Sequence, residues 1–487
     1  MTTPVAPGAR RPTAALAAAA GIVAALAAVA ISGRGTGTIP YVAVLAALLL
    51  VVRDLSWRFL SALLAVVVFF VPVKRYTLPA QLPFHLEPYR LLIAVMLAGF
   101  GASLLVDRRV RLRRTGLEAP IGLLVAAILG SELTNPARLG TGGLGEEATK
   151  ALLLFGAFLA IFFLLSSVQR TRADVHAFVE ALVACGAILG VFAVFESRTG
   201  YNVFNHLSSY VPFLHASGPP VIPPRGGRLR VYASSQHPIA LAATFVMLLP
   251  LAIYLARSTQ RRRWWLAGVS MLMGALATGS RTAVVMIAVV ALVYLWLRPR
   301  QVRRLWPLLI PLVVVVHFAM PGALGTMREA FFPRGGLIAQ QENAAAGHAR
   351  LSTLGPALHD EFAPHPILGE GFGTRVTTPD SVVPVPNAPI LDDQWLGLLL
   401  ETGTVGALSF LWLLVRFVRR SGSAAKRRDG PAAELHVATA AAVAAYGVGM
   451  FLYDAFSFIQ VTLVFFFVLA AGCAALRNDL RAAARTA

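Results

Sequence analysis

The chain reads as an all-α polytopic integral membrane protein of about 12 to 14 transmembrane helices, with a long extracytoplasmic loop containing short helices. Three observations predict this. Of 487 residues, 57% are apolar and only 14% charged, with a mean hydropathy of +0.69, outside the range of soluble domains. Apolar runs of roughly 15 to 25 residues, the length that spans a bilayer, recur along the sequence. Most of the 43 Lys and Arg residues stand in short clusters between those runs, which is the signature of topology. The net charge of +20 would suggest a nucleic-acid partner in a soluble chain, but its distribution here does not.

In order, residues 1–196 form an N-terminal transmembrane bundle with runs at 13–32, 39–52, 57–73, 88–106, 117–132, 149–168 and 174–196. Arg10 and Arg11 precede the first run, which is long enough to span and is followed closely by a second, so it reads as an uncleaved anchor. An extracytoplasmic loop, 197–236, precedes runs at 237–256, 264–279, 281–297 and 304–320, the middle two meeting at the TGSR sequence Thr278–Arg281. A second long loop, 321–390, leads to C-terminal helices within 391–487, with runs at 391–415, 435–455 and 457–476. With the N-terminus inside, alternate loops collect the basic clusters, among them VDRRVRLRR, STQRRR, RPRQVRR and RFVRRSGSAAKRR. Both termini are then cytoplasmic, and the segments 74–87, 133–148, 197–236 and 321–390 lie outside.

No GxxxxGK[ST], dinucleotide fingerprint or HExxH occurs, so cytosolic energy coupling and common zinc-hydrolase chemistry have no support. Cys185 and Cys473 both fall inside apolar runs and read as small core residues, not as a disulfide or metal framework.

Three constellations could carry chemistry. PRGGRLRVYASSQHPIA holds Arg225, Arg228 and Arg230 beside glycines, just before His237 and a span. Guanidinium forks placed there could take a phosphate bidentately, or anchor the loop to headgroups. Arg281 stands between two apolar runs, where a charge pairs within the bundle or lines an aqueous cavity. The third constellation lies within 320–410. In HPILGEGFG, Gly369, Gly371 and Gly373 permit close backbone approach, Glu370 is the one acid, and His365 before proline suits a turn. Asp392 and Asp393 stand at the mouth of a helix, where capping accounts for one carboxylate and a general base is the reading for the other. Glu401, roughly 13 Å further along that helix, reads as bundle-facing and paired with an arginine.

The order of an outside arginine before HPIALA, then TGSR, then a long loop with HPILGEGFG, then DDQWLGLLLETGTVGAL resembles the O-antigen ligase and O-antigen polymerase superfamily of bacterial surface-polysaccharide enzymes, over residues 225 to 410. The resemblance implies a glycosyltransferase with no cofactor and no metal, in the bacterial cytoplasmic membrane. It would move a glycan from a polyprenyl-diphosphate carrier to a glycan or lipid acceptor on the outer face. By position, Arg230 and Arg281 match the arginines that hold the carrier diphosphate. The ligases' pattern of histidine, then Asn, Ser or Gln, then nine residues, then glycine falls on Asp392, Asp393, Gln394 to Thr402, and Gly403. Asp392 therefore stands where those ligases have histidine. A flippase or other exporter of lipid-linked oligosaccharides is the alternative from another class, although its charges should gather nearer the bilayer midplane. A metal-dependent membrane glycosyltransferase would need acids in its first outside loop, and residues 32–38 contain none.

Overall fold

The computed structural model describes residues 56–78, 86–106, 110–140, 143–212, 214–218, 229–305, 354–375 and 392–486, with isolated positions 220, 222 and 307. The runs at 13–32 and 39–52, nearly all of that at 304–320, and Arg225 and Arg228 lie outside the described residues. The main helices are α1 (Trp57–Phe70), α2 (Pro88–Val106), α3 (Glu118–Thr134), α4 (Leu144–Val168), α5 (Arg172–Thr199), α6 (Pro238–Thr259), α7 (Arg262–Ala277), α8 (Arg281–Leu297), α9 (Gln394–Lys426), α10 (Gly430–Gly449) and α11 (Ile459–Thr486). Among the described residues six helices are long and apolar enough to cross a membrane: α2, α4, α5, α6, α9 and α11. The shorter α1 and α8 are also predominantly apolar. The chain is thus an all-α polytopic membrane protein. Its one described sheet is a two-residue antiparallel pairing, Tyr76 opposite Ala216 and Thr77 opposite His215.

Local chemistry sets the helix ends. Thr171 and Asp174 form a reciprocal capping box at the start of α5, which stops at Gly200 with φ of 72°. Pro238 occupies the first turn of α6, where its missing N–H is no loss, and the His237 ring accepts from the Ile239 N–H at 3.2 Å.

Helix α11 is the axis of the bundle. Its apolar stretch is wholly buried, packed against α4, α5, α6 and α10. Tyr446 of α10 stacks on Phe465 at 4.1 Å, and Phe158 of α4 on Phe466 at 5.7 Å. Lipid is as apolar as leucine, so helix association relies on close packing and small residues. At Gly274 of α7 an added Cβ would sit 2.6 Å from the Phe245 ring of α6, and at Gly190 of α5 it would sit 2.7 Å from the Ser270 carbonyl of α7.

The bundle has two chemically distinct ends. At one, arginines meet the few available acids: Arg58 pairs with Asp174, Arg172 and Arg428 with Asp479, and Arg257 with Glu434. At the other end the loops joining alternate helices knit together. Ser234 Oγ donates to the Phe69 carbonyl at 2.5 Å, and Gln460 Nε2 donates to that of Val68 at 2.9 Å. The segments expected on one side of the membrane therefore gather at one end, here called the loop end, and the basic clusters at the basic end.

Candidate active site at the loop end of the bundle

The run Leu391–Leu408 reads in sequence as one continuous helix, but α9 is broken within it. Gly403 adopts φ 64° and ψ −169°, a region essentially confined to glycine. A break leaves carbonyls before it and N–H groups after it without helical partners. The HPILGEGFG segment supplies both. Glu370 N–H donates to the Leu400 carbonyl at 2.9 Å and Gly371 N–H to that of Glu401 at 3.3 Å. Thr404 N–H donates to the Pro366 carbonyl at 2.9 Å and Val405 N–H to that of Ile367 at 3.3 Å. Backbones approach so closely that a Cβ on Gly403 would lie 2.1 Å from the Ile367 oxygen, and one on Gly369 would lie 2.5 Å from the backbone of Glu401 and Thr402.

The same segment is fastened to α3 and the turn after it. Ser131 Oγ donates to the Glu401 carbonyl at 2.5 Å and accepts from Gly371 N–H at 2.9 Å, while Asn135 Nδ2 donates to the Gly369 carbonyl at 2.9 Å. Buried Glu370 pairs with Arg138 at 2.8 Å. Burial pushes its carboxyl above the ordinary range, opposed first by Arg138. Glu370 and Gly371 are thus structural supports. Exposed His365 is a turn residue, its carbonyl accepting from Gly369 N–H at 2.9 Å. Glu401 lies in the last turn before the break, its carboxylate accepting from the backbone N–H groups of Gly373 and Arg375, with the Arg375 guanidinium nearby.

The paired aspartates separate. Asp393 is the N-cap of α9, one carboxylate oxygen accepting from the N–H groups of Trp395 at 3.0 Å and Leu396 at 3.1 Å. Asp392 precedes the helix with φ of 47°, a left-handed conformation that costs a residue with a Cβ roughly 1–2 kcal/mol. Lys74 with φ of 62° and Ala233 with φ of 46° share this strain and the same end of the bundle. The fourth such position among the described residues, Gln260 with φ of 55°, ends α6 at the basic end, so three of the four cluster at the loop end, as strain does at functional sites.

The turn between α10 and α11, Met450–Phe458, holds these parts together. Gln394 N–H donates to the Met450 carbonyl at 2.8 Å, and Phe456 N–H donates to Gln394 Oε1 at 2.6 Å, so the mouth of α9 is clamped to this turn. Asp454 within the turn accepts from Ser457 Oγ at 2.5 Å. Burial raises its carboxyl above the usual range, Asp392 pushes the same way, and Lys74 and Arg375 oppose. Desolvation lowers the Lys74 ammonium, against the attraction of Glu87 and Asp454. Asp392, Lys74 and Arg375 therefore all lie near enough to Asp454 for their charges to act on its carboxyl.

The described part of the arginine-rich segment, 229–237, joins the same turn. Gln236 Nε2 donates to the Ser457 carbonyl at 3.2 Å, Ile459 N–H donates to Gln236 Oε1 at 2.8 Å, and the His237 ring stacks on Phe458 at 5.5 Å. Upstream, buried Arg230 lies across the junction of α7 and α8, its Nε 3.4 Å from the Thr278 carbonyl. Arg281 is the first residue of α8, after Gly279 with φ of 61°. The fold thus brings Arg230 to the TGSR junction and Asp392 near the α10–α11 turn, to which Gln236, further along the Arg230 segment, is hydrogen-bonded.

Lys74, Arg375 and Asp454 escaped the sequence reading. A signal was present for two of them. Lys74 is basic in a loop assigned to the side that should be poor in lysine, and Asp454 is a lone acid near the end of the apolar run 435–455. Among the described residues no three His, Cys, Asp or Glu side chains are placed to hold a metal ion.

Residues 266–411 match the family model described as O-antigen ligase. The match bears out the resemblance read from the motifs, and it makes the chain similar to a ligase-like membrane enzyme of polysaccharide assembly. It takes in Arg281, the glycine segment, Asp392 and the Gly403 break, and leaves Lys74, Arg230 and Asp454 outside. No curated protein matches the chain.

Proposed function

We propose that this ligase-like chain transfers a glycan from a polyprenyl-diphosphate carrier to an acceptor hydroxyl, with inversion, at the loop end of the bundle. The basic end then faces the cytoplasm together with both termini, because lysine and arginine clusters stay on that side. The observation that carries the reading is the arrangement just described: a buried arginine at the α7–α8 junction, and a strained carboxylate next to the capping Asp393 and near Asp454 of the turn that Gln236, of the same segment as that arginine, also joins.

The chemistry follows from these groups. The acceptor oxygen attacks the anomeric carbon as the bond from that carbon to the diphosphate oxygen breaks. The electron pair leaves with the polyprenyl diphosphate, and the proton of the acceptor passes to Asp392. Guanidinium groups fixed beside the diphosphate stabilise the charge that develops on it, a role suited to Arg230 and Arg281. A single displacement inverts the anomeric centre.

The test is turnover of a synthetic polyprenyl-diphosphate glycan by purified variants. Asp392→Asn should lose roughly 10²- to 10⁴-fold in rate, the range for a general base, whereas Asp393→Asn should stay near the wild type. Loss in Asp393→Asn alone would reassign the base. Normal turnover in both would remove the carboxylate mechanism and return the exporter as the leading reading.

A further inference from the structure

At the basic end, far along the helices from the site above, α11 closes with Arg477, Asn478, Asp479, Leu480 and Arg481. The carboxylates there are already engaged. Asp479 takes Arg172 at 2.7 Å, Arg428 at 2.8 Å and His436 at 2.8 Å. Asp174 takes Arg58, Glu434 takes Arg257 at 3.2 Å, Glu180 takes Arg263 at 3.4 Å, and Glu118 accepts from the Thr115 and Gly116 N–H groups. Four further arginines lie in this region: Arg113 feels the charge of Arg170 and Arg481, and Arg477 that of Arg113 and Arg481. Among the described residues no carboxylate bridges to any of them.

Arg477 is the centre of this group. It is only 9% exposed, and its Nη2 is spent on the Ser166 carbonyl at 2.6 Å and the Gln169 carbonyl at 3.0 Å. Its Nε and Nη1 have no hydrogen-bond partner, and neither does either end of the Gln169 side-chain amide, which is 3% exposed. That amide lines a cleft between α1 and α5 with Trp57, Ser61, Val168 and Phe178 and with the paired Arg58 and Asp174. Leaving a charged donor buried and unsatisfied costs more than the roughly 1–3 kcal/mol of a neutral one. A ligand that takes these groups would offset that cost.

Positive charge gathered around one buried, incompletely bonded guanidinium favours an anion. Each N–H left on Arg477 can give a charge-assisted hydrogen bond to one oxygen of a phosphate. The amide oxygen of Gln169 adds an acceptor, which suits a hydroxyl on the same ligand. Arg170 and Arg481 are exposed and Arg113 is half-buried, so the group opens at the end of the helices, where headgroups lie. We propose that Arg113, Arg170, Arg477 and Arg481, with Gln169, bind the phosphate of an anionic, hydroxyl-bearing phospholipid headgroup at the basic end of the bundle.

Native mass spectrometry and thermal unfolding of delipidated protein in detergent test this, with dioleoylphosphatidylglycerol, dioleoylphosphatidylcholine and inorganic phosphate as probes. The wild type should retain the glycerol lipid roughly tenfold better than the choline lipid. Arg113→Gln and Arg481→Gln, at more exposed positions, should each lower that retention by roughly fivefold, the effect of one basic residue at a membrane surface. Arg477→Gln should abolish the preference. If Arg477→Gln fails to fold, the other two variants decide. Equal retention of the two lipids overturns the proposal, as does a preference that persists in the Arg113→Gln/Arg481→Gln double variant. Inorganic phosphate that protects as well as the lipid would reassign the group to a soluble anion.

Discussion

Adjacent carboxylates at the mouth of α9 have been given different work by one backbone torsion. Asp393 turns its side chain onto the first N–H groups of the helix, and Asp392, held at positive φ, lies near enough to Asp454 to push its carboxyl up. Asp393→Ala should therefore cost about 1 kcal/mol of stability, and Asp393→Asn only a few tenths, because asparagine caps as well as aspartate. Thermal unfolding of the two variants checks this, and equal losses would remove the cap from the account. Asp454 predicts a pH effect of definite sign. Its carboxyl is raised in the folded protein, so between the ordinary value near ~3.9 and that raised value the folded state holds a proton that the unfolded state has lost. Stability from this group is complete at low pH and falls as pH rises through that window. Asp454→Asn should lose this dependence, giving a melting temperature that gains on the wild type from pH 4 to pH 8. A difference that stays constant across that range would contradict it. Arg281→Lys keeps the charge but loses the planar fork; we expect turnover to fall at least tenfold with membrane insertion unchanged, and normal turnover at wild-type protein levels would take Arg281 out of the diphosphate clamp.

At the scale of elements, the break in α9 is the feature on which the site depends. Local sequence made the run from Leu391 onward legible as an apolar helix with an acidic cap, and made the glycines of HPILGEGFG legible as places of close approach. What could not be read was that the two belong together. Nothing local at Gly403 requires a break, because glycine is also tolerated inside helices; the break is stable only because residues 366–371, more than thirty positions earlier, supply the hydrogen bonds it removes. Gly403→Ala should be severely destabilising, by at least about 2 kcal/mol, since the new Cβ meets the Ile367 carbonyl and the torsion is closed to alanine. Gly397→Ala, in the same helix, with only the Gln394 amide at 3.6 Å from the new Cβ, is the control and should be neutral or slightly stabilising. Comparable folded yields for the two variants would show that the break is not required.

At the scale of the whole molecule, composition and the spacing of arginines were sufficient for the fold class and for the grouping of loops into two ends, because both are set by the bilayer and not by particular contacts. Asp454 and Lys74 were not legible as site residues, because their partners come from three separate parts of the chain that meet only in the packed bundle. The sidedness that follows from the arginine pattern can be tested on surface positions at the two ends. Cys185 and Cys473 are both buried and should stay silent toward a membrane-impermeant thiol reagent, so the native chain serves as its own background. Leu112 is 62% exposed at the basic end, and Ile367 is 64% exposed at the loop end beside the α9 break. In spheroplasts Ile367→Cys should be labelled at once, and Leu112→Cys only after the membrane is opened. The reverse pattern would turn the bundle over, place Asp392 and Arg230 on the side of the cytosol, and remove the outer-face transfer reaction, while the geometry of the loop end and the phosphate site at the other end would stand unchanged.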